Sequence, residues 1–124
     1  MSLLLDTHVV LWWLADDPTL ADEIKDRLDH DPDVFVSVAS VWEVAIKHAG
    51  GKLRGPADLP ARVRDSGFTL LQINAEHAIA ASRLPLIHRD PFDRMLLAQA
   101  SSENLVLATR DPWCRKYEVP TLAV

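Results

Sequence analysis

His88-Arg89-Asp90-Pro91-Phe92-Asp93-Arg94-Met95-Leu96-Leu97-Ala98-Gln99-Ala100 opens with turn chemistry and continues as a helix. Asp90 before Pro91 reads as an N-cap followed by the first helical residue, because the proline ring fixes φ near helical values and its missing N–H costs nothing there. Asp93, Leu96, Leu97 and Ala100 then recur at i, i+3, i+4 and i+7 and share one face. Three of these are apolar and belong against a core. The fourth is a carboxylate at the head of the same stripe. A charge placed where burial begins needs a cation or a metal as partner.

Outward from this helix, strands and helices alternate. Leu3-Leu4-Leu5 is a fully apolar run that stops at Asp6, as a central parallel strand would. Val9 to Ala15 reads as helical, and so does a segment that Thr19 would cap and that runs to about His30. Val34 to Val38 reads as a second strand. Ser40-Val41-Trp42-Glu43 has the form of a capping box, opening a helix that Gly50-Gly51 stops. Lys52 to Pro60 is a basic, irregular connection. A short helix is expected over Leu59 to Asp65, a third strand over Phe68 to Ile73, and a helix over Ala75 to Leu84. Leu105 to Thr109 is a fourth strand, followed at once by Arg110-Asp111. Val119 to Val124 is a weak strand that Pro120 assigns to an edge. The alternation predicts an α/β fold whose mainly parallel central sheet is flanked by helices in three layers, with right-handed crossovers. One unit over residues 1–124 is expected, since 124 residues suit one core and no linker or repeat interrupts them.

Composition narrows the function classes. No apolar run approaches the roughly 18 residues that span a bilayer, and no basic region precedes Leu3-Leu4-Leu5 as in a signal peptide. One cysteine, Cys114, excludes an intrachain disulfide and fits a cytoplasmic setting. It reads as a small packed hydrophobe. The net charge of −5 is uneven. Residues 1–33 hold nine acids and only Lys25 and Arg27 as bases, so the remainder is slightly basic. The global charge therefore does not exclude a phosphate-rich substrate.

In a parallel sheet, ligands bind beyond the carboxyl ends of the strands. Asp6 ends the first strand and Asp111 follows the fourth. Glu43 and Asp93 lie in the first turns of helices that begin at the same edge. Four carboxylates from four stretches thus meet on one rim, with no basic residue obviously placed to neutralise them. Oxygen-only ligation suits Mg²⁺ or Mn²⁺. Zinc is disfavoured by the absence of Cys-x-x-Cys and of histidines at ligand spacing. Divalent ions among these acids would activate a water and stabilise the leaving oxygen of a phosphodiester. Each acid also has a plain structural role open to it: Asp90 as a cap, Glu43 as part of a capping box, Asp111 as a turn residue before Pro112. His8, His48, His77 and His88 read as solvated or packed.

Four stretches together resemble the PIN-domain ribonucleases, specifically the VapC-type toxins of type II toxin–antitoxin pairs. They are Leu4-Leu5-Asp6-Thr7-His8, Ser40 to Lys47 with Gly51-Lys52-Leu53, His88 to Arg94, and Thr109-Arg110-Asp111. The resemblance implies a metal-dependent endoribonuclease, a homodimer, an RNA substrate and a cognate VapB-type antitoxin covering the acidic site. It places the metal-binding acids at Asp6, Glu43, Asp93 and Asp111, with Thr7 and Thr109 beside them. Lys47, four residues after Glu43, is placed to orient it. Arg89, Arg94, Arg110 and Lys52 are candidate phosphate contacts. A small-molecule phosphohydrolase on the same rim, or a binding module with a structural ion, are the alternatives. The first lacks a second aspartate two residues after Asp6.

A divalent ion that binds only the folded state stabilises it by mass action. Millimolar Mn²⁺ is therefore expected to raise the melting temperature, read by differential scanning fluorimetry; an unchanged temperature would count against a metal site.

Overall fold

The computed structural model describes residues 2–52 and 55–124. Leu53, part of the stretch Gly51-Lys52-Leu53, and Arg54 in the basic connection lie outside the described residues. Five parallel strands form one sheet in the order β3-β2-β1-β4-β5. They are β1 (Leu3–Leu5), β2 (Val34–Ser37), β3 (Thr69–Leu71), β4 (Val106–Thr109) and β5 (Thr121–Ala123). The helices are α1 (Thr7–Leu14), α2 (Asp22–His30), α3 (Val38–Ala49), α4 (Leu59–Asp65), α5 (Ala75–Arg83) and α6 (Pro91–Ser102). A 3₁₀ turn, Cys114–Lys116, precedes β5. β5 is an edge strand, as Pro120 requires, yet the Pro120 carbonyl still accepts from Leu107 N–H at 3.0 Å.

Both faces of the sheet are dry, which is why its strands read as continuous apolar runs. Leu3, Leu5, Val34, Val36 and Ala108 point to one face and pack with residues of α1, α2 and α4, among them Val9, Val10, Leu28 and Val63. Leu4 and Leu107 point to the other, against Leu96, Leu97 and Ala100 of α6. The stripe predicted for α6 is thus the one that is buried. The acids of α2, Asp22, Glu23, Asp26 and Asp29, are exposed.

Helix starts show where local rules hold and where they yield. Asp90 caps α6, accepting from Phe92 N–H at 2.8 Å and Asp93 N–H at 3.3 Å. Gly50 is the C-cap of α3, and Gly51 takes φ +69°, a conformation that costs a Cβ-free residue little. Ser40 does not cap α3. The helix starts earlier, with Ser37 as N-cap accepting from Ala39 N–H at 2.9 Å. Glu43 consequently lies in the second turn, and no capping box forms. Ser40 instead accepts a hydrogen bond from the Thr7 hydroxyl at 2.9 Å, tying α3 to α1. Thr19 caps nothing either. α2 starts at Asp22, and Thr19 N–H donates to Asp17 Oδ1 in a local turn at 2.8 Å.

The segment between α5 and α6 is held by two side chains from elsewhere. Arg94 donates to the carbonyls of Ala81, Leu84, Pro85 and His88 at 2.8–3.3 Å. The Tyr117 hydroxyl donates to the Pro85 carbonyl and accepts from His88 N–H, both at 2.7 Å. Arg94 is a brace for this loop and not a phosphate contact, contrary to the expectation from sequence.

Replacing Asp90 by Ala removes two hydrogen bonds to the first turn and is expected to cost about 1 kcal/mol. Leu97→Ala, which empties a site with 0 % exposure, is expected to cost about 2–5 kcal/mol. Urea unfolding measures both, and equal losses would contradict this placement of the two residues.

Candidate metal centre

The carboxyl ends of β1 and β4 lie side by side, Leu5 in register with Ala108. The next residue on β1 is Asp6, whose N–H donates to the Ala108 carbonyl at 3.0 Å. Asp6 occupies the N-cap position of α1, but its side chain makes no cap hydrogen bond. It turns instead to Thr109, whose hydroxyl donates to Asp6 Oδ2 at 2.5 Å. The same hydroxyl accepts from Asp111 N–H at 3.0 Å. One side chain at the end of β4 therefore sets both Asp6 and the turn that carries Asp111. Thr109 is fully buried, so this geometry has no competing water.

Asp6, Glu43, Asp93 and Asp111 line one cavity of about 430 Å³, together with His8, Lys47, His88 and Asp90. All four predicted acids are there. Asp6 is 6 % exposed and Glu43 only 3 %. Burial raises the Asp6 pKa, against the lowering effect of the Thr109 hydrogen bond. Burial, then the charges of Asp6 and Asp90, push Asp93 up to about 7. Two acids are thus held away from their charged forms, the signature of a centre waiting for positive charge.

Lys47 and His88 pair with acids of the rim. Lys47 Nζ donates to Glu43 Oε2 at 2.5 Å, as its i+4 spacing suggested, and the pair raises the Lys47 pKa. The sequence suggests a solvated or packed role for His88, and the structure instead sets it between two aspartates. Its Nε2 lies 2.9 Å from both Asp93 Oδ2 and Asp111 Oδ2. Its Nδ1 accepts from Asp90 N–H at 3.2 Å. Burial opposes charge on His88, but the hydrogen bond to Asp111 and the charge of Asp93 outweigh it, so its pKa is raised. The signal for His88 was its position two residues before a cap on a braced loop, which becomes informative only once that loop is folded. His77 is packed, 1 % exposed, and bonds the start of α5 through Asn74.

Among the described residues, Glu43 Oε1 is a buried side-chain oxygen without a hydrogen-bond partner. Leaving such an atom bare costs about 1–3 kcal/mol or more when charged. Glu43 lines the same cavity as three other carboxylates, so a divalent cation with oxygen ligands fits the donor set. Arg110 also lines the cavity, and its guanidinium is engaged by the chain itself. It donates to the carbonyls of Val124 at 2.6 Å and Thr19 at 2.8 Å, and stacks 4.7 Å over the Trp12 ring. Arg89 and Lys52 are exposed, and neither lines the cavity.

A parallel sheet of this order with an acidic cavity at its carboxyl edge defines a class. The sequence profile of the PIN domain matches residues 3–119, and the chain belongs to that family. It is similar to Ribonuclease VapC22 of Mycobacterium tuberculosis, 29 % identical over 126 residues that cover 96 % of this chain and 94 % of that protein. Among solved structures it is similar to DNA-bound VapBC from Salmonella typhimurium, with a TM-score of 0.73 and 18 % identity over 98 % of this chain and 97 % of that one. VapBC2 from Rickettsia felis, bound to a DNA fragment from its promoter, gives a TM-score of 0.70 at 13 % identity, covering 98 % of each chain. At these identities the two structures bear on the fold.

Raising the Asp93 pKa from its ordinary value to about 7 makes the folded state the tighter proton binder between about pH 4 and 7. Stability contributed by this group is therefore present at low pH and lost as pH rises through that window. Asp93→Asn is expected to stabilise the metal-free protein at pH 8 by on the order of 2 kcal/mol, and to change little at pH 4. Urea unfolding at both values checks this; a gain of equal size at both would refute it.

Proposed function

We propose that this chain is a metal-dependent endoribonuclease of the VapC type, the toxin of a type II toxin–antitoxin pair, acting as one domain over residues 1–124. The observation that carries the proposal is the convergence of Asp6, Glu43, Asp93 and Asp111 on one cavity of a PIN fold, with Glu43 Oε1 buried and bare. The resemblance to a protein named as a ribonuclease supports the substrate class. Mg²⁺ or Mn²⁺ is the ion that an oxygen-only set selects.

Asp6 and Asp93 are assigned as the principal ligands, with Glu43 and Asp111 completing the shell directly or through water. When bound, the ion supplies the charge that lowers the barrier for attack of water on a phosphodiester. The protein does the rest by position. Thr109 hydrogen-bonds Asp6, and Lys47 engages Oε2 of Glu43 and leaves Oε1 buried and bare. Asp111 Oδ1 is used to accept from Trp113 N–H at 2.9 Å, which leaves Oδ2 on the site. Asp90, as cap, aims the first turn of α6 and with it Asp93. Exposed Arg89 and Lys52, and Arg110 at the cavity wall, are the basic residues offered to an RNA backbone.

A VapB-type antitoxin is the proposed partner, covering the acidic cavity; the similar solved structures are described as VapBC complexes. A homodimer is proposed from the apolar face on which Trp42 is 60 % and Ile46 47 % exposed. Among the described residues no helix is long and apolar enough to cross a membrane, and the proposed location is the cytoplasm.

Expression of this chain alone is expected to arrest bacterial growth, and expression of its Asp6→Asn variant is not. The purified protein is expected to cut total RNA with Mg²⁺ and to lose that activity in EDTA. Growth that continues with soluble wild-type protein, together with intact RNA, overturns the toxin reading. Hydrolysis of small phosphate esters without RNA cleavage would favour a phosphohydrolase, and metal binding with neither activity would favour a binding module.

A further inference from the structure

Three residues of the acidic cavity, His88, Asp93 and Asp111, have the buried Cys114 beside them, which adds a nitrogen and a sulfur that an oxygen-seeking ion does not use. His88, Asp93, Asp111 and Cys114 each offer one ligand atom, and these four atoms all lie within 4.8 Å of one another. His88 Nε2 is already 2.9 Å from an oxygen of each aspartate. The set comes from three separate stretches: the braced loop before α6, the first turn of α6, and the segment after β4. No short spacing marks it, which is why the usual zinc-site patterns are absent from the sequence.

We propose that His88, Asp93, Asp111 and Cys114 form a second cation site that takes a borderline transition ion such as Zn²⁺, and that filling it competes for Asp93 with the ion of the acidic centre. One nitrogen, one sulfur and two carboxylate oxygens make a four-coordinate set of the kind zinc takes. Mg²⁺ demands oxygen and six neighbours, so the same four atoms discriminate against it. The competition rests on the function proposed above, which makes Asp93 a ligand of the catalytic ion. The site itself rests only on its own donors.

A second observation marks the acidic cavity, which shares His88, Asp93 and Asp111 with this set, as cation-seeking. Glu43, 3 % exposed, lines it, and its Oε1 is buried without a hydrogen-bond partner. Cys114 is 1 % exposed, and its thiol sits among acids and close to Thr109 rather than in wholly apolar packing. Ligand formation replaces its S–H by an S–metal bond and releases the proton to solvent. Ligation of His88 through Nε2 moves the ring proton to Nδ1 and gives up the 3.2 Å contact from Asp90 N–H. Tyr117 and Arg94 hold the loop so that His88 is in place before any ion arrives.

The test is a titration of the full-length, metal-free protein with Co²⁺, whose spectrum reports coordination number and thiolate ligation. The expected result is the strong visible absorption of a four-coordinate ion with a near-ultraviolet thiolate-to-metal band, bleached by Zn²⁺. Cys114→Ser is expected to remove the near-ultraviolet band, and His88→Gln to weaken Zn²⁺ binding by about tenfold or more. Circular dichroism confirms that each variant is folded, and His88→Gln serves should Cys114→Ser fail to fold. A weak six-coordinate spectrum, or a near-ultraviolet band that survives in Cys114→Ser, overturns the site. Manganese release, followed by electron paramagnetic resonance as Zn²⁺ is added, tests the competition. Zinc binding without release overturns the sharing of Asp93. Manganese that never binds overturns the acidic centre and leaves the cobalt spectrum to judge this proposal.

Discussion

Four carboxylates in one partly dry cavity repel one another, and much of the structure around them answers that repulsion. Burial strengthens the effect, because a low-dielectric surrounding weakens the solvation that each charge would otherwise enjoy. The responses are visible residue by residue. Lys47 pairs with Glu43, His88 sits between Asp93 and Asp111, and the Thr109 hydroxyl donates to Asp6. Asp93 retains a raised pKa in spite of His88. Mutual repulsion and burial make the site costly, and a divalent ion bound there would relieve several of these costs at once. This is the familiar trade in which a functional centre is held in place by the stability of the rest of the chain.

That stability is supplied behind the cavity. The two buried faces of the sheet anchor β1 and β4, and the parallel pairing of these strands places Asp6 one residue from the end of its neighbour. α6 adds Asp93 through a helix start that three devices fix together: the Asp90 cap, the Arg94 brace and the Tyr117 hydroxyl. Gln99, fully buried on the same helix, accepts from the Ser37 hydroxyl and donates to the Gln72 carbonyl. It thereby ties α6 to the carboxyl ends of β2 and β3. The carboxylates are positioned by elements whose other faces are locked in the core, so the cavity inherits the rigidity of the sheet.

Positive charge shows the opposite pattern. Of the four bases first considered for phosphate, Arg94 and Arg110 donate to backbone carbonyls and hold loops closed. A guanidinium offers five donors in a planar fork, which suits it to binding several carbonyls at the end of a helix or strand. Sequence spacing does not separate this use from a role in binding anions.

The sequence by itself determined the order of strands and helices, the buried stripe of α6, the Asp90 cap and the four acids of the rim. These rest on short-range rules: periodicity of apolar residues, proline at a helix start, and a charge that ends an apolar strand. Tertiary structure alone decided the true start of α3, because Ser37 rather than Ser40 meets the free N–H groups once β2 is paired, and Ser40 then bonds to Thr7. It also decided that His88 joins two aspartates and lies near Cys114, residues separated by 26 positions or fewer in pairs yet brought together only through the loop that Arg94 and Tyr117 hold. Local propensity sees a few neighbours along the chain, whereas a hydrogen bond or a charge pair depends on distance in space. That distance is fixed only when the sheet has closed.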